Sequence, residues 1–247
     1  MVVGLALPVL PLHVHQSLGL GTFVVGLVAG SQFAASVLSR VWSGHYADTR
    51  GPKRAVMAGL VVMGMAGLLH LLSYWLVVVP LLSVMVLLFG RGILGAAASA
   101  VLTGALTWGM ARAGQEAAGR VIALVGTGMF AALALAAPVG TALYGVGGFG
   151  AIAAATLIGP VLAALLVTPL ASPPPHERRR TAVASVARAV WLPGIGTGLG
   201  SVGFGAIIAF GSLYFAERAW SPIWLPFGAF AAALIVARLV FGDLTDR

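Results

Sequence analysis

The chain has 247 residues, 60% of them hydrophobic and 8% charged, with a mean hydropathy of +1.04; no soluble core of that length hides so much apolar surface, so lipid must be the solvent for much of it. A formal net charge of +8 would suit nucleic acid in a soluble chain, but the basic residues stand in short segments between apolar runs, which argues for a bilayer and against nucleic acid. The absence of cysteine excludes a disulfide framework, a thiolate metal site and a thiol nucleophile.

A bilayer core about 30 Å thick needs roughly 20 apolar residues per helix. Residues 1–14 are expected to form a first, short span, reaching only about 21 Å at 1.5 Å per residue. No basic segment precedes it, so a signal peptide is not expected, and Met1 reads as an internal start or a truncation point inside a helix. Seven further spans follow at 22–42, 55–73, 76–104, 119–144, 148–169, 190–216 and 222–241. If the eight spans alternate, Arg40, Arg50, Lys53, Arg54, Arg112, Arg120, Arg178, Arg179, Arg180, Arg188, Arg238 and Arg247 all fall on one side, and Arg218 alone falls on the other. That bias makes 43–54, 105–118 and 170–189 cytoplasmic.

In chain order, the first polar pattern is Gln32 with Ser36, four residues apart on one helical face. At the inner end of the same span stands Arg40-x-x-x-Gly44-x-x-x-Asp48, continuing into Thr49-Arg50-Gly51-Pro52-Lys53-Arg54. Its glycines are expected to serve a tight turn and close helix approach, with the carboxylate beside the basic groups forming a breakable charge cluster. Arg91 is the one charge well inside a span; at a helix centre it costs about 2.5–3.5 kcal/mol on insertion scales, so it should face a cavity or a partner unless it snorkels to an interface. Ser99, Thr103 and Tyr214 join Gln32, Ser36 and Arg91 as candidates for a central cavity, with interhelical hydrogen bonding as the alternative. His13, His15 and His70 lie near outer helix ends without metal-ligand spacing and read as interfacial, and no metal site is expected. The six tryptophans gather near span ends as interface anchors. Gly198-x-Gly200-x-x-Gly203 formally fits a dinucleotide pattern but sits in an apolar helix with no strand before it.

The longest polar segment, Ala171 to Ala189, contains three prolines and an arginine triplet and reads as a linker. Beyond it the inner signature recurs at one fixed offset as Arg238, Gly242 and Asp246, with Arg247 following. Two halves in the same orientation, joined by a long inner segment, match parallel repeats about an axis along the membrane normal. The expected organisation is a six-helix half over 1–169, a cytoplasmic linker over 170–189, and the first two helices of a second half over 190–247.

The segment from Gly44 to Arg54 resembles the loop signature between the second and third helices of the major facilitator superfamily, G-x-x-x-D-[RK]-x-G-[RK]-[RK]. The resemblance implies gating roles for Gly44, Asp48, Gly51, Lys53 and Arg54, the aspartate holding the outward-facing state by contact with the other half. Thr49 and Pro52 depart from the pattern, and Arg50 stands in for the first missing basic residue. Gly90-Arg91-Gly92 resembles the family's fourth-helix motif, whose arginine is tied to proton coupling or substrate charge. Pro138 with Gly140 is a poor match to the antiporter motif and leans only slightly to efflux. Segments such as Pro8–Leu12 and Gly26–Phe33 look most like the bacterial YhhS-like permeases, related to drug and sugar exporters.

What this implies is an all-α polytopic membrane protein, with about eight of twelve transmembrane helices present. It would be a monomeric, multi-pass protein of the bacterial inner membrane, exporting a small molecule by alternating access against proton entry, without a cofactor. All six carboxylates, Asp48, Glu116, Glu177, Glu217, Asp243 and Asp246, fall in loops or at span ends, so coupling would use Arg91, a histidine or segments beyond these. The alternative is a truncated, non-transporting membrane protein or partner subunit. No constellation supports an enzyme.

Overall fold

The computed structural model describes residues 1–172, 191–192, 194–196 and 198–241, and among these the regular structure is helical throughout. The first crossing is broken: α1 (Val2–Ala6) gives way to a turn around Pro8, then α2 (Leu10–Leu12) and a π-helical turn over His13–Ser17. Pro8 and Pro11 lack the N–H that a continuous helix would use.

Four long elements follow. α3 (Thr22–Arg50) has 29 residues and a length of about 43 Å, so it projects well beyond the hydrocarbon. α4 (Pro52–Trp75) begins after a single residue, Gly51, held at φ 95°. The expected inner loop 43–54 is therefore two helix ends and a one-residue hinge. The reason for the difference is physical: hydropathy marks where lipid ends, whereas the backbone hydrogen bonds run on until a residue leaves helical φ/ψ. Gly51 does so at little steric cost, and Pro52 starts the next helix where its missing N–H is no loss. α5 (Pro80–Ala113) overruns its expected end in the same way and stops at Gly114, at φ 84°.

α6 (Ala118–Val167) contains a break at Gly147 and Gly148, the latter at φ 58°, so it makes two crossings, 118–146 and 149–167. That division lies within a few residues of the two spans expected there. α7 (Val202–Glu217) and α8 (Leu225–Phe241) complete the described helices. Among the described residues five helices are long and apolar enough to cross a membrane, the broken α6 counting as one and the stretch Gly194–Glu217, which ends in α7, as another. The expected linker falls almost entirely on residues outside those described, as do Gly242, Asp246 and Arg247.

Packing is tightest between α4 and α5 and between α3 and α5, with α4 also lying along α6. A Cβ on Gly95 would collide with the Gln32 carbonyl, and one on Gly140 with that of Leu5, so bare backbone lets α3 meet α5 and α1 meet α6. The run Gly194 to Gly200, by contrast, has open space around its glycines. α7 and α8 reach the preceding helices through a small core of Leu7, Ala137, Ile208 and Phe227. A larger core joins Leu10, Val25, Val28, Leu87 and Phe149. Inward of it, Met63, Ala66, Leu94 and Ala97 form another.

At the outer end of the α4–α5 hairpin, the fully buried Ser73 and Ser83 clasp one another. Each hydroxyl donates to the other residue's carbonyl, at 2.9 and 2.7 Å, and the two oxygens lie 3.0 Å apart. Every polar atom of that pair is satisfied within the bilayer.

Candidate transport site and inner turn

Arg91 stands eleven residues into α5, about 16 Å from its outer end. On the same buried face, Leu87 one turn outward belongs to the larger core and Leu94 one turn inward to the smaller one, so the guanidinium is walled between two apolar clusters. Its exposure is 0%, and Nε, Nη1 and Nη2 all lack a hydrogen-bond partner. Snorkelling to an interface, the alternative weighed for Arg91, does not occur.

Two other elements bring unpartnered polar groups to this level. From α3, Gln32 packs its carbonyl against Gly95, one turn from Arg91, and its buried Oε1 has no partner. From α4, His70 presses its ring on Gly90, where a Cβ would lie 3.2 Å from Cδ2, and its buried Nε2 is likewise unpartnered.

An aromatic lid lies outward of this group. Phe149, the first residue past the glycine break, stacks on His13 with ring centroids 4.0 Å apart and planes at 1°. It meets His70 edge-on at 6.3 Å. His13 and His70 are thus interior residues rather than the interfacial ones expected; His15 alone of the three is exposed, its Nδ1 2.9 Å from the Leu20 carbonyl. The sequence signal was present in outline: His70 stands between Leu68-Leu69 and Leu71-Leu72, an imidazole set inside an apolar run. Trp108 departs from expectation in the same direction, being buried against Val56 and Leu60.

The remaining candidates spread out. Ser99 is buried and unpartnered two turns inward of Arg91, and Thr103 is half-buried a further turn on. Ser36 is half-buried, its carbonyl accepting from Ser39 at 3.2 Å. Tyr214 lies elsewhere, exposed near the outer end of α7, edge-on to Trp220 and beneath Arg218 at 5.5 Å.

At the inner side, Gly44 meets open space among the described residues, while Gly51 makes the hinge. The expected charge cluster is absent among the described residues: Asp48, Arg50 and Arg54 make no ion pair there. Lys53 instead turns into its own half, where Nζ donates to the carbonyls of Thr168 at 2.6 Å and Leu170 at 2.8 Å. These are carbonyls at and beyond the end of α6, which no further helical turn satisfies and toward which the helix dipole draws a cation. Thr49 also bonds locally, to the His45 carbonyl at 2.7 Å. Asp48 is left free of the basic residues around it, and Arg238 enters α8 near its end.

The Major Facilitator Superfamily profile matches residues 1–247. The chain belongs to this superfamily. It is similar to an uncharacterised MFS-type transporter of Salmonella typhimurium, at 38% identity over 247 residues, covering all of this chain and 64% of the relative. An uncharacterised MFS-type transporter of Pseudomonas aeruginosa is 41% identical over the whole chain and 61% of its own length. One from Burkholderia pseudomallei is 40% identical over 243 residues, 98% of this chain and 60% of the relative. The chain thus spans about three fifths of the length of the curated relatives it matches. No solved structure matches it. Superfamily membership and the apolar helices make it a multi-pass membrane protein.

Proposed function

We propose that the full-length protein is a secondary active transporter of the bacterial inner membrane, which exports a small molecule against proton entry by alternating access. The observation that carries this reading is Arg91, a charge wholly buried in the hydrocarbon region of a superfamily bundle. Such a group is costly to keep and has no structural partner, so its retention points to the transport cycle. The match along the whole chain favours this reading over a non-transporting membrane protein.

In this reading 1–169 and 190–247 are parallel repeats that rock about the core of α1, α6, α7 and α8. Gly44, Asp48, Arg50, Gly51 and Arg54, with their repeat at Arg238, Gly242, Asp246 and Arg247, gate the inner side. Lys53 anchors the gate's hinge to the end of α6. Asp48, unpaired within its own half, is the group available to contact the other. The relation to YhhS-like permeases belongs to the same proposal, as does a monomeric state. The driving force suffices: about 2.3 kcal/mol per charge per 100 mV sustains a gradient of roughly fortyfold.

Everted vesicles bearing the full-length protein test it. A panel of small molecules should contain one that collapses an imposed pH gradient, with the collapse failing in Arg91→Ala. An unaltered gradient across the whole panel rejects proton-coupled export, and an unaltered response in the variant rejects the role of Arg91.

A further inference from the structure

We propose that the cleft at the inner ends of α4, α5 and α6 is a site for an anionic phospholipid of the cytoplasmic leaflet, with the phosphate at Arg112 and Lys53 and one acyl chain seated on Trp108. This goes beyond the transporter reading and takes from it only the orientation that the basic residues give the bundle. The cleft has a volume of about 300 Å³, and its walls come from three helices: Val56 on α4, Ala105, Trp108 and Arg112 on α5, and Val167 with Leu170 at and beyond the end of α6. Trp108 is 9% exposed and packs on Val56 and Leu60, so it forms a fixed floor. Its buried Nε1 is a donor that no group of the bundle accepts.

The walls name the occupant by their chemistry. Arg112 lies one helical turn beyond Trp108, in the last turn of α5, exposed and without an ion pair among the described residues. Glu116, in the turn that follows, is exposed and does not pair with it. Lys53 stands at the same rim: its Nζ donates to the Leu170 carbonyl at 2.8 Å and to that of Thr168 at 2.6 Å, leaving one of its three N–H bonds unused. The other wall residues named are apolar, so two cations stand over a hydrocarbon-lined hollow. A soluble anion would meet the cations and leave the hollow wet, and a neutral apolar molecule would fill the hollow and leave the cations unpaired. An anionic phospholipid satisfies both. The level is right as well, because an indole and a guanidinium in the last turns of a crossing lie at the headgroups. Toward the bilayer centre, Leu162, Leu165 and Leu166 of α6 are 56%, 65% and 75% exposed, and Leu166 stands four residues before Leu170, so an apolar track for the chain leads away from the cleft. The segment of sequence that follows Leu170 is a poor rival for the rim, since it carries Arg178, Arg179, Arg180 and Arg188 against the single Glu177.

The test is native mass spectrometry of the full-length protein in detergent, titrated with dioleoylphosphatidylglycerol or with dioleoylphosphatidylcholine, which has the same chains and no net charge. The first phosphatidylglycerol should bind roughly twentyfold more tightly, since each of two cations beside a headgroup contributes about fivefold. Arg112→Gln should cut that preference about fivefold, and Arg112→Lys, which keeps the charge, by less. Leu170→Glu, which sets a carboxylate in the wall, should erase it and carries the test if Arg112→Gln does not fold. Ala105→Phe, which fills the hollow and leaves the cations, should weaken both lipids several-fold. Arg50→Gln, at the inner end of α3 and outside the cleft, should leave the preference unchanged. Equal binding of the two lipids, or a preference that survives both Arg112→Gln and Leu170→Glu, overturns the inference. So does a preference that Arg50→Gln lowers as much as Arg112→Gln does, because the charge then acts as a diffuse surface. Binding untouched by Ala105→Phe overturns the seat for the chain. None of these measurements involves transport, so their failure leaves the transporter reading standing.

Discussion

The α4–α5 hairpin contains two buried polar groups treated in opposite ways. Ser73 and Ser83 are fully buried and fully paired, each hydroxyl closing on the other residue's carbonyl. Three residues from Ser73 and eight from Ser83, His70 and Arg91 are just as deeply buried, yet His70 Nε2 and all three Arg91 nitrogens have no hydrogen-bond partner. In lipid every polar group must find a partner inside the protein, so a satisfied pair holds two helices together and an unsatisfied one is unfinished chemistry. The difference separates a fastening from a site on one pair of helices.

The sharpest way to break this comparison is to replace each member by an apolar group of similar size. Arg91→Met should reduce transport in everted vesicles to background, while the thermal midpoint of the purified protein holds or rises, because a lone buried charge is being removed. A fall in stability with transport retained would make Arg91 a fastening like the serines. Next in size is Gly95→Ala, which pushes a methyl into the Gln32 carbonyl and parts α3 from α5 beside the site. We expect about 1–3 kcal/mol of destabilisation from that overpacking, read by chemical denaturation, with any surviving protein impaired in transport.

Ser83→Ala should behave in the reverse manner to Arg91→Met. Leaving the Ser73 hydroxyl and carbonyl short of a partner costs about 1–3 kcal/mol, whereas transport per folded molecule stays near normal. The double replacement of Ser73 and Ser83 by Ala should cost less than the sum of the single changes, since no hydroxyl is then left unpaired. The smallest effect belongs to Lys53→Met, which uncovers the end of α6 at about 0.3–1 kcal/mol. Limited proteolysis near residue 170 should report it as faster cleavage, and Lys53→Arg should restore protection.

Much of the architecture was legible in the residues. Long apolar runs gave the long helices, and Arg40, Arg50, Lys53, Arg54, Arg112 and Arg120 stand at or near the joined ends of successive helices. Arg91 announced itself as well, because a charge inside an apolar run is visible without coordinates. The errors share one cause. Hydropathy measures transfer from water to lipid, whereas α3 and α5 stay helical beyond their apolar runs, so the inner loops are shorter than hydropathy implies. Gly44 meets nothing among the described residues; Gly95 and Gly140, indistinguishable from it by composition, each lie against a carbonyl of another helix.

By itself the sequence determined the solvent, the approximate positions of the long apolar helices, and the presence of one charge that lipid would not tolerate unaccompanied. Those are properties of single segments, set by composition and by the 1.5 Å rise of a helix. The tertiary structure decided what accompanies that charge: Gln32 and His70 rather than a carboxylate, His13 and Phe149 as a cover, and Lys53 spent on the end of α6 instead of on Asp48. Such pairings depend on which face of one helix meets which face of another, and residues far apart in the chain carry no local mark of that meeting.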